Sequence, residues 1–249
     1  MHGHTRFNGD RGFGIIFSLG CQSCLFAAEL IPMSGVTENA LPYLPEKLTL
    51  PALRTAVQSC RGCDLYRHAT QAVFGEIEAA PKSGLRNVTL MIGEQPGDKE
   101  DIEGRPFVGP AGRLLDKCLE EAGIERSRVY VTNAVKHFKW EPRGKLRIHK
   151  KPSMREIKAC RPWLDAELEV IRPKLIVCLG ATAAQAMLGT NFKVTKERGT
   201  VLHREGLPAL IATVHPSSIL RARTEDDRHK EMMSFLADLK KVATYLEQN

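Results

Sequence analysis

Residues 133–160 contain the side chains best suited to chemistry on a polyanion. The segment follows an apolar run, is rich in Lys and Arg, includes His137 and His149, and enters a helix near Ser153. A loop of this length inside a compact domain is usually either functional or disordered. Function is the better interpretation, because Trp140 and Ile148 are costly to leave loose in water. The imidazole of His149 is a candidate nucleophile, metal ligand or surface group, and the segment alone does not decide among them.

Cysteine spacing suggests a second chemical centre. The seven cysteines are Cys21, Cys24, Cys60, Cys63, Cys118, Cys160 and Cys178. An odd number with two CxxC pairs in a chain of this size favours reduced thiols and metal ligands over disulfides, and predicts a cytoplasmic protein. Cys60 and Cys63 lie at the end of a helix predicted within 49–66, where two thiolates can bind one metal ion or cluster. A CxxC pair is only half a site, so an incidental pair is an equal alternative. Cys118 and Cys178 are expected to be small buried hydrophobic residues.

Alternating apolar and amphipathic segments predict the fold. Buried strands are predicted at 87–92, 128–133, 174–180 and 209–214, with helices beginning near Gly112, Ser153, Ala181 and Asp226. This alternation predicts a three-layer α/β/α fold with a central four-stranded parallel sheet. Right-handed crossovers bring the C-terminal ends of the strands to one edge, where open α/β folds bind ligands.

Each predicted strand ends in a polar or glycine-rich loop. The first leads into residues 93–116, where Gly, Pro and acidic residues precede a helix start that could face a phosphate. The loop contains neither GxGxxG nor GxxxxGK[ST], which excludes the Rossmann and P-loop motifs. Asn133 ends the second strand, LGATAA follows the third, and HPSSILR (215–221) follows the fourth. The sequence therefore predicts one site at this edge.

Composition limits the possible partners only weakly. The 249-residue chain is 43% hydrophobic and 26% charged, and its 36 Lys and Arg against 29 Asp and Glu give a formal charge of +7. This excess is a mild indication of nucleic acid binding, and an ordinary basic protein is the alternative. The apolar run at 13–29 is too short and interrupted for a membrane span. We expect residues 1–32 to be a dispensable or non-native extension and residues 33–249 to form a single domain.

The motifs taken together resemble the uracil-DNA glycosylase superfamily. GEQPGDKED, PFVGPAGRLLD, NAVKH, ACRPWL, LGATAA and VHPSSILR occur in order over more than half of the chain, with CRGC upstream. GEQPG, NAVKH and a basic insertion ending in RIH are similar to the UdgX class of that superfamily. The insertion of that class is commonly Lys-Arg-Arg-Ile-His, so Leu146 is a departure expected to alter phosphate contacts and not chemistry. The resemblance implies a uracil-DNA glycosylase-like fold.

The resemblance also implies catalytic roles. His149 is expected to attack C1′ of the deoxyribose and to remain attached, which would make the enzyme single-turnover. Glu94 is expected to stabilise the cationic sugar, and His215 to donate to the departing base. Two alternatives stay open: an ordinary hydrolytic glycosylase, and a non-catalytic module that binds uracil or single-stranded DNA.

Substrate recognition is expected from a larger set of side chains. The Asn133 amide offers the donor and acceptor needed by uracil O4 and N3–H, and cytosine presents the opposite pattern. Phe107 is suited to stack on the base, and Gln95 and Asp98 are further uracil-binding candidates. The candidates for DNA contacts are Lys145, Arg147, Ser217, Ser218 and Arg221, with Leu220 as a possible wedge. The expected partner is uracil-containing DNA, preferably single-stranded, and the expected state is a monomer.

The ligand set implied by the resemblance completes the metal hypothesis. Cys60, Cys63, Cys160 and His137 are the implied ligands of a four-iron four-sulfur (4Fe–4S) cluster. Its expected role is structural, because it would connect the N-terminal helix to both ends of the basic segment. Zinc in the same ligands is the alternative.

Overall fold

The four predicted strands lie parallel in one sheet in the computed structural model, which describes residues 39–78, 84–85 and 88–248. They are β1 (Thr89–Gly93), β2 (Val129–Asn133), β5 (Leu175–Leu179) and β7 (Ala209–Thr213). A short strand that was not predicted, β6 (Val201–Leu202), pairs antiparallel with β7, so the sheet order is β2-β1-β5-β7-β6. The expected extension 1–32, with Cys21 and Cys24, lies outside the described residues.

Helices cover both faces of this sheet. The α-helices are α1 (Leu50–Ala56), α2 (Asp98–Glu103), α3 (Pro110–Glu121), α4 (Met154–Ile171), α5 (Ala181–Leu188), α6 (Val194–Glu197), α7 (Pro216–Leu220) and α8 (Glu225–Gln248). Alternating strand side chains point to opposite faces, so Met91 packs with α3, α7 and α8, and its neighbours Leu90 and Ile92 pack with α4 and α5. The three-layer α/β/α prediction is confirmed. Among the described residues, no helix has the length and apolar character needed to span a membrane.

The basic segment was predicted as a long loop but contains an antiparallel hairpin. Strands β3 (Trp140–Arg143) and β4 (Leu146–His149) pair with Trp140 opposite His149. Gly144 at the turn has a φ of 61°, which is the conformation that a two-residue hairpin turn beginning with Gly requires. We call residues 140–149 the reactive hairpin. It ends close to the Ser153 cap of α4, where the sequence predicted the helix start.

A third apolar cluster lies away from the sheet. It joins α1 and the following turn to the inner face of α4 through Leu53, Val57 and Trp163. Cys60 and Cys160 are buried in this cluster, and Cys63 packs against it. The fold therefore brings the CxxC pair next to a helix that begins at the end of the reactive hairpin.

Candidate active site

A cavity of about 870 Å³ lies at the C-terminal edge of the parallel strands. It is lined by most of the side chains that the sequence singled out: Glu94, Gln95, Asp98, Phe107, Asn133, His149, His215, Ser217, Ser218 and Arg221. The sheet register explains why they meet, because Gly93 at the end of β1 is level with Asn133 at the end of β2. Neither Lys145 nor Arg147 is part of this lining.

Two glycines allow the close packing around Phe107. A Cβ on Gly93 would overlap the side chains of Asn133 and Phe107, and a Cβ on Gly112 would overlap the Phe107 carbonyl. Phe107 itself has a φ of 58°, a conformation that non-glycine residues adopt at a cost of about 1–2 kcal/mol. Phe107 and the buried Asn133 therefore both pack closely against Gly93 at one wall of the cavity.

The hydrogen bonds of His215 select the tautomer of its ring. The Ser217 backbone N–H donates to Nδ1 at 3.1 Å, and the Ser217 hydroxyl lies 2.8 Å from the same atom. Nδ1 is therefore an acceptor, and the proton of the neutral ring is on Nε2. Burial lowers the pKa of His215 to about 4, with Arg221 and His149 adding to the shift. The ring is thus neutral near pH 7 and stacks against Phe107 at a centroid distance of 6.0 Å.

Glu94 and His149 lie next to each other in the cavity lining. The His149 Nε2 lies 3.4 Å from Glu94 Oε1, and the Thr182 hydroxyl donates to Glu94 Oε2. The His149 side chain is 48% exposed. Burial lowers the pKa of His149, the Glu94 charge opposes this shift and Arg221 adds to it. The neutral imidazole is therefore favoured at physiological pH.

Arg147 attaches the reactive hairpin to α2. Its Nε lies 2.6 Å from Asp98 Oδ1, and its Nη1 lies 2.6 Å from Oδ2 of the fully buried Asp101. The guanidinium also lies over the rings of Phe138 and Trp140 at 5.5 and 5.7 Å. Arg147 therefore positions the hairpin in this structure, and the DNA contact expected of it stays a prediction.

Gln95 attaches both ends of the hairpin to the loop after β1. Its amide nitrogen donates to the carbonyls of Lys139 and Lys150 at 3.0 and 3.1 Å, and its oxygen accepts from the Lys139 N–H at 3.0 Å. Lys139 and Lys150 flank the two strands of the hairpin. Gln95 lines the cavity and its side-chain amide holds the hairpin, while the uracil contact expected of it stays a prediction.

The predicted DNA-binding residues fall into two groups. Ser217, Ser218 and Arg221 line the cavity on and after α7, while Lys145 is exposed at the hairpin turn. Leu220 is 38% exposed beside them. Their contacts with DNA stay predictions. The sequence reasoning did not single out Thr182, although a hydroxyl in the first turn of a helix at the ligand-binding edge was a usable signal.

The predicted cluster ligands lie in one region behind the hairpin. The Trp163 indole N–H donates to Cys60 Sγ, and the Lys136 backbone N–H donates to Cys160 Sγ, both at 3.2 Å. Burial raises the pKa of Cys63 to about 11 and that of Cys160 to about 12. Burial also lowers the pKa of His137 to about 4, which keeps its ring neutral and able to act as a ligand.

The chemistry of this donor set is compatible with an iron–sulfur cluster. Cys60 and His137 share the wall of a cavity of about 190 Å³. In the part of the chain that the structure describes, no three His, Cys, Asp or Glu side chains are grouped as one metal ion requires. The two N–H donors match the hydrogen bonds that thiolate ligands accept. The ligand set therefore fits a 4Fe–4S cluster chemically.

Comparisons with known proteins agree with this geometry. A family model described as the uracil DNA glycosylase superfamily matches residues 84–240. A Type-4 uracil-DNA glycosylase of Thermotoga maritima is 36% identical over 207 residues, covering 83% of this chain and 98% of the relative. One from Sulfurisphaera tokodaii is 37% identical over 180 residues, covering 69% and 76%. A Type-5 uracil-DNA glycosylase of Pyrobaculum aerophilum is 33% identical over 172 residues, covering 62% and 72%.

Proposed function

The chain belongs to the uracil-DNA glycosylase superfamily, and we propose that it excises uracil from DNA and then traps the resulting sugar covalently on His149. The observation that carries the second part is the position of His149 Nε2, 3.4 Å from Glu94 Oε1 in the cavity that also contains Asn133 and His215. A nucleophile beside the carboxylate that would stabilise the sugar cation is well placed to capture that cation.

Uracil recognition is assigned to Asn133 and Phe107. The base must leave the stack to enter the cavity, where an amide can read its edge and a ring can cover its face. Asn133 supplies a donor for O4 and an acceptor for N3–H. Cytosine reverses both groups at this edge and would leave buried polar atoms unpaired, at a cost of about 1–3 kcal/mol. Gln95 and Asp98 support recognition indirectly, since both hold the reactive hairpin.

His215 and Glu94 divide the charge that develops when the glycosidic bond breaks. The N1–C1′ electron pair leaves with uracil, so negative charge appears on the base and positive charge on the sugar. The Nε2–H of neutral His215 donates to the O2 side of the departing base. The Glu94 carboxylate, oriented by Thr182, faces the cationic sugar.

His149 then forms the new bond to the sugar. The lone pair on its neutral Nε2 attacks C1′, and the ring becomes an alkylated imidazolium. The ring loses its Nδ1 proton to solvent, and the uracil anion gains a proton. The lowered pKa of His149 keeps the attacking nitrogen unprotonated before the reaction.

The preferred substrate in this proposal is single-stranded DNA. A base in a single strand reaches the cavity without the cost of breaking a base pair. Ser217, Ser218 and Arg221 at the mouth of the cavity would contact the backbone beside the uracil, with Lys145 as a peripheral phosphate contact.

A 4Fe–4S cluster held by Cys60, Cys63, His137 and Cys160 completes the proposal. Its contribution when bound is structural, because it would join the N-terminal helix to both ends of the segment that contains the reactive hairpin. Purified protein should show a broad visible absorbance that Cys160→Ser reduces, while Cys178→Ser, which changes a buried cysteine in β5, should leave it intact. Stoichiometric zinc and a colourless protein would contradict the cluster.

A denaturing gel tests the covalent step. The protein is incubated with an excess of labelled single-stranded oligonucleotide containing one uracil, and we expect a shifted band that survives heat and denaturant. The band should be absent in His149→Ser and unchanged in His229→Ser, which alters an exposed histidine on α8. Excision without a shifted band in the unmodified protein would exclude trapping by His149.

The same experiment separates the alternatives. A hydrolytic glycosylase would release free uracil over many turnovers without a shifted band. Glu94 could support this activity by orienting the attacking water. A binding module would retain the DNA in a salt-dependent manner and release no uracil. We expect His149→Ser to behave like the hydrolytic enzyme.

A further inference from the structure

A buried charge pair lies next to the residue assigned to uracil recognition. Lys136 and Glu167 are both 0% exposed, and Lys136 Nζ lies 2.5 Å from Glu167 Oε2. Removing two charges from water costs several kcal/mol per ion, and a buried pair often contributes no net stability relative to apolar residues. Fold stability alone is therefore a weak explanation for this pair.

The remaining contacts of the Lys136 ammonium group lead to the active site. Nζ donates to Thr132 Oγ1 at 2.6 Å and to the Asn133 carbonyl at 2.9 Å. Asn133 is the last residue of β2, and its carbonyl accepts from this side chain. A charged donor fixed at this carbonyl restricts the backbone from which the Asn133 amide side chain extends.

The Glu167 carboxylate in turn fixes the ammonium group. Its Oε1 accepts from Tyr130 Oη at 2.8 Å, from Thr132 Oγ1 at 2.9 Å and from the Gly75 N–H at 3.2 Å. Burial, together with the Glu167 charge, raises the pKa of Tyr130 well above its ordinary value, so the phenol stays a donor. These contacts join β2, the loop before β1 and helix α4.

Lys136 also contacts the region of the predicted cluster ligands. Its backbone N–H donates to Cys160 Sγ at 3.2 Å, and its ring contact is with Phe74, 5.7 Å from Nζ. Lys136 thus lies between Asn133, which is assigned to uracil recognition, and Cys160 on α4. Lys136 therefore contacts both a residue of the candidate active site and a predicted cluster ligand.

We propose that Lys136, held by Glu167, is a positioning residue for uracil recognition, which acts by fixing the main chain of Asn133. This inference rests on the proposed function and extends it to a residue outside the cavity. It also requires that the effect of Lys136 on excision pass through the Asn133 side chain. A role limited to folding makes no such requirement.

A double-mutant cycle tests this requirement. The variant Lys136→Met with Glu167→Gln removes both charges and keeps an acceptor for Tyr130 and Gly75. We expect single-turnover uracil excision to fall about tenfold, the effect of one lost hydrogen bond to a buried group. In an Asn133→Ala background, the same two substitutions should change the excision rate less than twofold, because no positioned amide remains.

A matched pair at the other end of β2 provides the control. Arg126 donates to the Val129 carbonyl at 2.9 Å and pairs with Asp116 at 2.9 Å, far from Asn133 along the strand. Arg126→Met with Asp116→Asn should leave excision within twofold of the unmodified protein. If the Lys136 variant is unfolded by circular dichroism, Glu167→Gln alone replaces it, with a smaller decrease that must also vanish in the Asn133→Ala background.

The outcomes distinguish failure of the Lys136 inference from failure of the proposed glycosylase function. Equal losses with and without the Asn133 amide would overturn the positioning role and leave the glycosylase assignment intact. Full activity of the folded Lys136 variant would overturn it as well. Absence of uracil release by the unmodified protein would instead reject the proposed function, and the inference with it.

Discussion

The two walls of the active-site cavity are held in place by different means. On one wall, Asn133 and Phe107 are buried between paired strands and helices of the main core. On the other, His149 lies on a two-stranded hairpin and is half exposed. The hairpin is attached through side chains, above all the charged contacts of Arg147 and the amide of Gln95.

In the proposed mechanism, this difference separates uracil recognition by Asn133 from covalent trapping by His149. Displacing Asn133 requires disturbance of the sheet, whereas displacing His149 requires only the loss of a few hydrogen bonds. Movement of the hairpin changes the distance between His149 Nε2 and the sugar. A displacement of a reacting group by about 1 Å can lower a reaction rate about a hundredfold. Substitutions on the hairpin should therefore uncouple adduct formation from base excision without unfolding the protein.

The largest expected effect is that of Arg147→Ala. The substitution leaves Asp101 buried without its charged partner, a cost of about 2–4 kcal/mol at the hairpin attachment. We expect the rate of adduct formation to fall about a hundredfold, with a smaller decrease in uracil release. Denaturing gels measure the first quantity, and release of labelled uracil measures the second.

Arg143→Ala is the control on the same hairpin, because Arg143 is exposed at the turn. It should retain the full rate of adduct formation. Equal losses of excision and adduct in Arg147→Ala would show that the two walls are not independent.

Gln95→Leu should have an intermediate effect. It removes three hydrogen bonds to Lys139 and Lys150 but leaves the charged contacts of Arg147 in place. We expect adduct formation to slow about tenfold, because one attachment remains. The amide exchange of Lys139, followed by hydrogen–deuterium exchange, should accelerate. Unchanged exchange together with a slowed reaction would instead support a direct contact of Gln95 with uracil.

The rate of adduct formation should decrease in acid. Because burial lowers the pKa of His149 below its ordinary 6.5, the imidazole is neutral above that value and protonated only as the pH falls through the lowered pKa. The rate of adduct formation should therefore decline in acid with a midpoint below pH 6.5. His215, whose pKa is about 4, stays neutral near pH 6.5. A decline centred at or above pH 6.5 would contradict the assignment to His149.

Leu146→Arg should have the smallest effect. Leu146 is 65% exposed on β4, and the substitution adds a basic residue to the hairpin. We expect single-stranded DNA to bind about threefold more tightly at low salt. The single-turnover rate at saturating DNA should not change. Electrophoretic mobility at two salt concentrations measures the binding. A change in the single-turnover rate at saturation would mean that Leu146 takes part in positioning His149.

The sequence predicted the positions of Asn133 and His215 better than the structure of the hairpin that contains His149. Asn133 and His215 directly follow apolar strands, and parallel strands bring their C-terminal ends together, so the shared position of these residues follows from periodicity. The hairpin was missed because β3 and β4 have only four residues each, with Pro142 and Glu141 among them. Such segments have little strand propensity of their own.

The chain by itself determined the order of the main strands and helices and the motifs at the strand ends, whereas the choice of His149 as nucleophile came from the family resemblance of those motifs. These features depend on local periodicity and on residue chemistry, which are written along the chain. Only the tertiary structure decided that Arg147 pairs with Asp98 and Asp101, that Gln95 holds the hairpin, and that Lys136 reaches the Asn133 carbonyl. These contacts join residues distant in sequence or turned inward by packing, and their partners are chosen by three-dimensional proximity.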